Sequence, residues 1–113
     1  MGIQFSMTNF SDRERAEEAH FAHEEEMQFR IHARRNRLLG QWAAELMGLS
    51  AAESESYAKS VVQADFEEAG DEDVIRKLLG DLVSAGIEVS EADVRAAMDA
   101  KAVEAKRMLM GEG

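Results

Sequence analysis

The chain predicts an all-α protein: a small four-helix bundle with a long first helix whose N-terminal part is a mobile or disordered arm. Three observations carry this. There is no proline among the 113 residues, and Ala, Glu, Leu, Met, Arg and Lys, which lose little on entering a helix, are abundant. Helix-start signals recur at "SDRE" (Ser11–Glu14), "SAAE" (Ser50–Glu53), "GDEDV" (Gly70–Val74) and "SEAD" (Ser90–Asp93). Apolar residues between these signals recur at helical rather than strand spacing.

Two of the starts, at Ser11 and Ser50, have the form of full capping boxes, in which Ser accepts from the N3 amide and Glu reaches back to the cap amide. Gly48, Gly70 and Gly86 follow the periodic stretches, where a left-handed turn costs glycine little. This punctuation predicts helices near 11–47, 51–68, 72–85 and 91–110.

The first helix has two characters. From Ile31 onward Arg35, Leu38, Leu39, Trp42, Ala43 and Leu46 form a stripe, whereas the same angular sector upstream holds Arg13, Glu17, His20 and Glu24. Residues 8–28 have scattered Phe10, Phe21 and Met27 but no coherent apolar face, so they cannot offset their ordering entropy by packing at home. An isolated helix of that length is marginal in water, and fully formed it would reach roughly 30 Å. Residues 1–28 are therefore expected to be an arm and residues 29–113 the bundle. Met7 offers a second start, so residues 1–6 read as an extension or remnant without a role.

The remaining helices supply the rest of the core. Val74, Ile75, Leu78, Leu79 and Leu82 repeat the spacing of the first stripe and should pack against it. Tyr57, Ala58, Val61, Val62 and Phe66 make a third face, and Val94, Met98, Ala105 and Leu109 a weaker fourth.

A formal charge of -10 opposes general nucleic-acid binding, which needs a basic surface to displace counterions. With no cysteine there is no thiolate metal site, disulfide or thiol nucleophile, and a reducing cytoplasm is the expected compartment. The apolar runs are too short to span a bilayer and the N-terminus lacks the pattern of a signal peptide. Phosphate-cradling and esterase-elbow motifs do not occur. The acidic run "EEAGDED" lacks the ligand spacing of a calcium loop and suits the first turn of a helix instead.

His20 and His23 stand near Glu17, Glu24 and Glu26, but "HFAHE" matches no zinc-enzyme motif, and no metal or cofactor is expected. Their protonation near pH 6.5 would alter the charge of an arm that carries seven carboxylates and two arginines before residue 30, and with it the affinity for a partner.

Four arginines interrupt the acidic sequence between residues 30 and 37. Arg30, Arg34 and Arg37 project away from the apolar stripe with Gln41 and Glu45, as a solvated or docking face, and Glu26 stands four residues before Arg30 in the favourable order for a helix pair. Arg35 projects into the stripe, so it should bury its stem and take a carboxylate from the 67–73 turn. Leu38, Leu39, Trp42, Leu46, Val74 and Leu78 are expected to be structural.

Three blocks in order, "FSDRERAEEAHFAHEEE", "RIHARRNRLLGQWAAELMG" and "DFEEAGDEDVIRKLLGDL", resemble the zeta subunit of α-proteobacterial F-type ATP synthases, an inhibitor of ATP hydrolysis. The resemblance runs from about Thr8 to the last helix. It implies a four-helix bundle whose N-terminal segment inserts into the catalytic head at an α/β interface beside the γ shaft and blocks hydrolytic rotation, while the bundle docks outside. On that resemblance Phe10, Asp12, Arg13, Glu14, Arg15, Ala16, Glu18, Phe21, Ala22 and His23 fall in the inhibitory segment. Phe10 and Phe21 would be apolar anchors, and Arg13, Glu14, Arg15 and Glu18 charged contacts. The extra N-terminal residues depart from the family pattern and bear on arm insertion. Ala69, where relatives often carry proline, bears on the turn alone.

The expected partners are therefore the α, β and γ subunits of the head at the cytoplasmic face of the inner membrane. The chain is expected to be monomeric when free, without enzymatic activity, nucleic-acid binding or membrane insertion. Two other readings stay open from the residues alone: a helical adaptor for another partner, or a small-ligand bundle in which Arg30, Arg34, Arg37 and Lys77 meet a nucleotide phosphate. Arg35→Ala is expected to lower the thermal midpoint well beyond Arg34→Ala, whose surface site predicts a change within about 0.5 kcal/mol; equal midpoints would remove Arg35 from the core.

Overall fold

The structure, a computed structural model, describes the backbone at residues 2–67 and 70–111 and the side chains at 24–65 and 70–111. Among the described residues there are four α-helices and no strand: α1 (Gly2–Leu46), α2 (Ala51–Glu67), α3 (Asp71–Ser84) and α4 (Glu91–Lys106), with a π-helical turn at Arg107–Gly111. The chain divides into two compact units, Met1–Arg30 and Ile31–Gly113. The expected mobility of the arm, and its side chains through His23, lie outside the described residues.

α1 begins at Gly2 rather than at Ser11, so the "SDRE" capping signal lies within a helix that runs past it. Nothing between Gly2 and Ser11 breaks a helix: the segment has no proline and no internal glycine, and a capping signal does not terminate what precedes it.

The other ends follow their local chemistry. At the end of α1, Gly48 adopts φ 71°, the Gly48 amide donates to Glu45 O at 3.1 Å, and the Leu49 amide donates to Ala44 O at 3.0 Å. That is a Schellman closure, and Gly86 repeats it at φ 81°, with bonds from Gly86 to Val83 O and from Ile87 to Leu82 O. The Ser50 hydroxyl accepts from the Glu53 amide at 3.2 Å while Glu53 Oε1 accepts from the Ser50 amide at 2.9 Å. Ser90 and Asp93 form the same reciprocal box, although the acid there is one methylene shorter than the usual Glu.

The core of the second unit gathers Leu39 and Ala43 of α1, Val61 of α2, Val74, Ile75, Leu78 and Leu82 of α3, and Val94 and Met98 of α4. Trp42, Tyr57 and Leu79 pack around it half-buried, and Leu38 is also half-buried. Ala105 is buried and Leu109 half-buried, whereas the side chain of Phe66 lies outside the described residues. Leu46 corrects the expected stripe: it is 41% exposed. It is the last residue of α1, just before the turn at Gly48.

A second face of α1 is built from small residues. Asn36, Gly40, Ala43 and Ala44 follow i, i+4, i+7, i+8 spacing and are all buried. A Cβ on Gly40 would lie 2.7 Å from Ala58 Cα and 3.2 Å from a Val61 methyl, so glycine is what lets α1 and α2 approach this closely. Gly80 in α3 has open space around it. Gly40→Ala should therefore destabilise the bundle by about 1–3 kcal/mol despite the better helix propensity of alanine. Gly80→Ala should stabilise it by about 0.5–1 kcal/mol. Urea denaturation of both variants checks the pair, and a stabilising Gly40→Ala would mean the helices separate at no cost.

Candidate functional site

The arginine-rich part of α1 does three different jobs. Arg35 is 4% exposed, and its Nη2 lies 2.9 Å from Asp71 Oδ1, in the turn from which the apolar stripe leads one to seek a carboxylate. Its Nε and Nη2 also donate to Asn36 Oδ1 at 3.1 and 2.9 Å. Asn36 is 1% exposed and donates onward from Nδ2 to Asp65 Oδ2 at 2.9 Å. One chain of charge-assisted bonds thus ties α1 to α2 through Asp65 and to α3 through Asp71. No buried side-chain nitrogen or oxygen among the described residues lacks a partner.

Arg37 turns instead to α2, where Nη2 meets both oxygens of Glu55 at 2.9 and 3.1 Å. Arg30, in the first unit, pairs with Glu26 at 2.8 Å, and both are well exposed. Arg34 holds no carboxylate among the described residues. The three arginines read as one solvated face are therefore a local helix pair, a cation without a carboxylate among the described residues, and an inter-helix tie.

The remaining polar contacts hold the bundle. Tyr57 Oη donates to Asp81 Oδ2 at 2.7 Å, Lys77 Nζ reaches the same oxygen at 3.1 Å, and Lys77 lies 5.2 Å from the tyrosine ring centre. Burial first, and the Asp81 carboxylate second, push the Tyr57 phenol far above its ordinary range, so it stays a neutral donor. Arg95 of α4 reaches both oxygens of Glu72 on α3 and one of Glu91. The hydrogen bond from Arg95 is the main reason the Glu72 carboxyl sits below its ordinary range. Arg76 and Lys101 hold Asp73 and Glu104. Arg34, Lys59, Lys106 and Arg107 are left without a carboxylate among the described residues.

Among the described residues no group of three or more His, Cys, Asp or Glu could hold a metal ion, and no helix is long and apolar enough to cross a membrane. An open groove of about 480 Å³ is lined by Leu49, Ala52, Glu53, Ser56 and Tyr57, with no basic side chain to meet a phosphate. Lys77 is occupied by Asp81 and Arg37 by Glu55. Phe10, Asp12, Arg13, Glu14, Arg15, Ala16, Glu18, Phe21, Ala22 and His23, which the family resemblance makes the inhibitory segment, lie outside the described side chains.

Asn36, Gly40 and the Tyr57–Asp81 bond escape a reading of apolar periodicity. The small-residue spacing 36, 40, 43, 44 is the signal that points to the first two. No comparable signal marks Asp81, because its partner is twenty-four positions away.

Comparison with known proteins assigns this arrangement to a lineage. The model of the family described as ATPase inhibitor subunit zeta matches residues 7–108. A protein of known solution NMR structure is 52% identical, the alignment covering 77% of this chain and 99% of that one, with a TM-score of 0.67. No curated protein matches the chain.

The Glu72–Arg95 tie gives a pH signature. A carboxyl held below its ordinary range stabilises the fold above the unfolded pKa, and that contribution is lost as pH falls through the lower folded value. Glu72→Gln should lower the urea midpoint at neutral pH, and the difference from the parent chain should close as pH falls below the ordinary carboxylate range. A gap that persists in acid would trace to packing rather than charge.

Proposed function

Since the chain belongs to the ATPase inhibitor subunit zeta family, we propose that it stops ATP hydrolysis by an F-type ATP synthase by inserting its N-terminal segment at an α/β catalytic interface beside the γ shaft. The observation that carries this reading is the family match over residues 7–108, which takes in the segment from Phe10 to His23 together with the bundle. Inhibition is steric: the segment occupies the interface, and this chain performs no reaction of its own.

The physics of the sequence supports the same division of labour. Residues 1–28 act as the arm and residues 29–113 as the bundle. The buried core cluster of the second unit runs from Leu39 to Met98. Phe10 and Phe21 bury their rings in the head, and Arg13, Glu14, Arg15 and Glu18 pair with its charges, with Asp12, Ala16, Ala22 and His23 on the same segment. A segment with no apolar face of its own folds on its partner and loses ordering entropy as it does so. Tethering to a docked bundle raises its effective concentration at the interface and offsets part of that loss. The free protein is a monomer, and it works on the α, β and γ subunits of the head at the cytoplasmic face of the membrane.

The test compares the full chain with a variant lacking residues 1–26 on the isolated catalytic head of a cognate ATP synthase, following ATP hydrolysis. The full chain should inhibit, and the truncated chain, once shown by circular dichroism to be folded, should not. Equal inhibition by both would overturn the role of the arm; inhibition by neither would overturn the functional assignment.

A further inference from the structure

The end of α4 carries exposed apolar and cationic groups that the fold does not use. Val103 is 57% exposed and Met110 53%, and Lys106 and Arg107 between them are exposed as well. Residues 103, 106, 107 and 110 follow i, i+3, i+4, i+7 spacing, which places them on one side of the helix. Val94, Met98 and Ala105, buried on α4, define the opposite side as the one that faces the core.

Two features separate this face from an ordinary solvated one. In a chain of net charge -10 the other described cations, apart from Arg34 and Lys59, hold a carboxylate, whereas Lys106 and Arg107 are adjacent and hold none among the described residues. The carbonyl end of a helix favours cations and accounts for their position. It does not account for the large apolar side chains that flank them. The helix also widens into a π-turn at Arg107–Gly111, a distortion that recurs at functional sites.

We infer that Val103, Lys106, Arg107 and Met110 form the surface by which the bundle docks on the ATP synthase head, against a patch of the head that is acidic and partly apolar. The inference rests on the inhibitor reading above. Charge complementarity selects the occupant: in a chain of net charge -10, Lys106 and Arg107 are the one adjacent pair of cations without a carboxylate among the described residues, so this face suits an acidic surface. Paired unlike potentials set orientation and speed encounter, which is what a bundle that aims an arm requires. The apolar residues then supply contact area once water is expelled.

The test measures binding of the full chain to the isolated head, and inhibition of its ATP hydrolysis, for Lys106→Glu, Arg107→Glu, the double variant and Lys59→Glu. Lys59 is an exposed cation on α2 without a described carboxylate, so its reversal changes net charge at another place by as much as either single reversal on α4. The double variant should raise Kd about tenfold at low salt, chiefly through slower association, and should flatten the dependence of Kd on salt. Lys59→Glu should change Kd less than about twofold. Lys59→Glu should keep the parent thermal midpoint, whereas the reversals at Lys106 and Arg107 should lower it slightly by placing anions at the carbonyl end of α4, and circular dichroism should show every variant folded.

If the parent chain inhibits and the double variant binds equally well, the docking surface is overturned while the inhibitor reading stands. An equal loss with Lys59→Glu would also overturn it, by tracing the effect to net charge. A parent chain that sediments as a dimer broken by the double variant, with head binding unaltered, would make the face a self-association surface and overturn the proposal. If the parent chain neither binds nor inhibits, both readings fall together.

Discussion

Arg35 and Asn36 are the polar pair on which the bundle is registered. A guanidinium taken out of water is costly unless its donors are met with good geometry. Here two of them meet the Asn36 amide oxygen and one of these also meets Asp71, while Asn36 hands the chain of bonds to Asp65. α1, α2 and α3 can each slide only by breaking a bond that water cannot fully replace. Asp71 remains half-exposed, so the network lies at the edge of the core and avoids the full desolvation penalty of a buried ion pair.

The apolar core and this network constrain different things. Leu39, Val61, Val74, Leu78, Leu82 and Val94 are fully buried and supply a non-directional drive to collapse. They would tolerate several registers. The close passage of Gly40 over Ala58, together with the Arg35–Asn36 bonds on either side, selects one. The Tyr57–Asp81 and Arg95–Glu72 contacts then hold α2 to α3 and α4 to α3. A scaffold specified in this way holds its four helices in one defined arrangement.

The family assignment gives that construction a purpose. In the proposed mechanism the chain acts as an obstacle, by where it lodges rather than by a reaction of its own. On that proposal, selectivity depends on complementarity in two places, the arm and the face of the bundle proposed to meet the head. The arm draws on a sequence with aromatic residues but no home for them; the bundle draws on a surface whose cations are mostly neutralised internally.

Helix number, helix order and the main stripes are legible in the sequence because caps, glycine stops and apolar spacing are local signals. The Schellman turns at Gly48 and Gly86 and the box at Ser50 stand where those signals put them, and the start signal at Ser90 also closes as a box, whereas the Ser11 signal lies inside α1. The need of Arg35 for a carboxylate is legible too, since a charge inside an apolar stripe cannot go unanswered. What only the tertiary structure decides is long-range: that Asn36 relays Arg35 to Asp65, that Gly40 admits the backbone of α2, that Arg37 turns to Glu55, and that Leu46 is left in water. Periodicity says which side of a helix is apolar, but not which neighbour lies over each residue or how closely. Those outcomes depend on helix crossing and separation, which arise only when all the faces compete for the same interior.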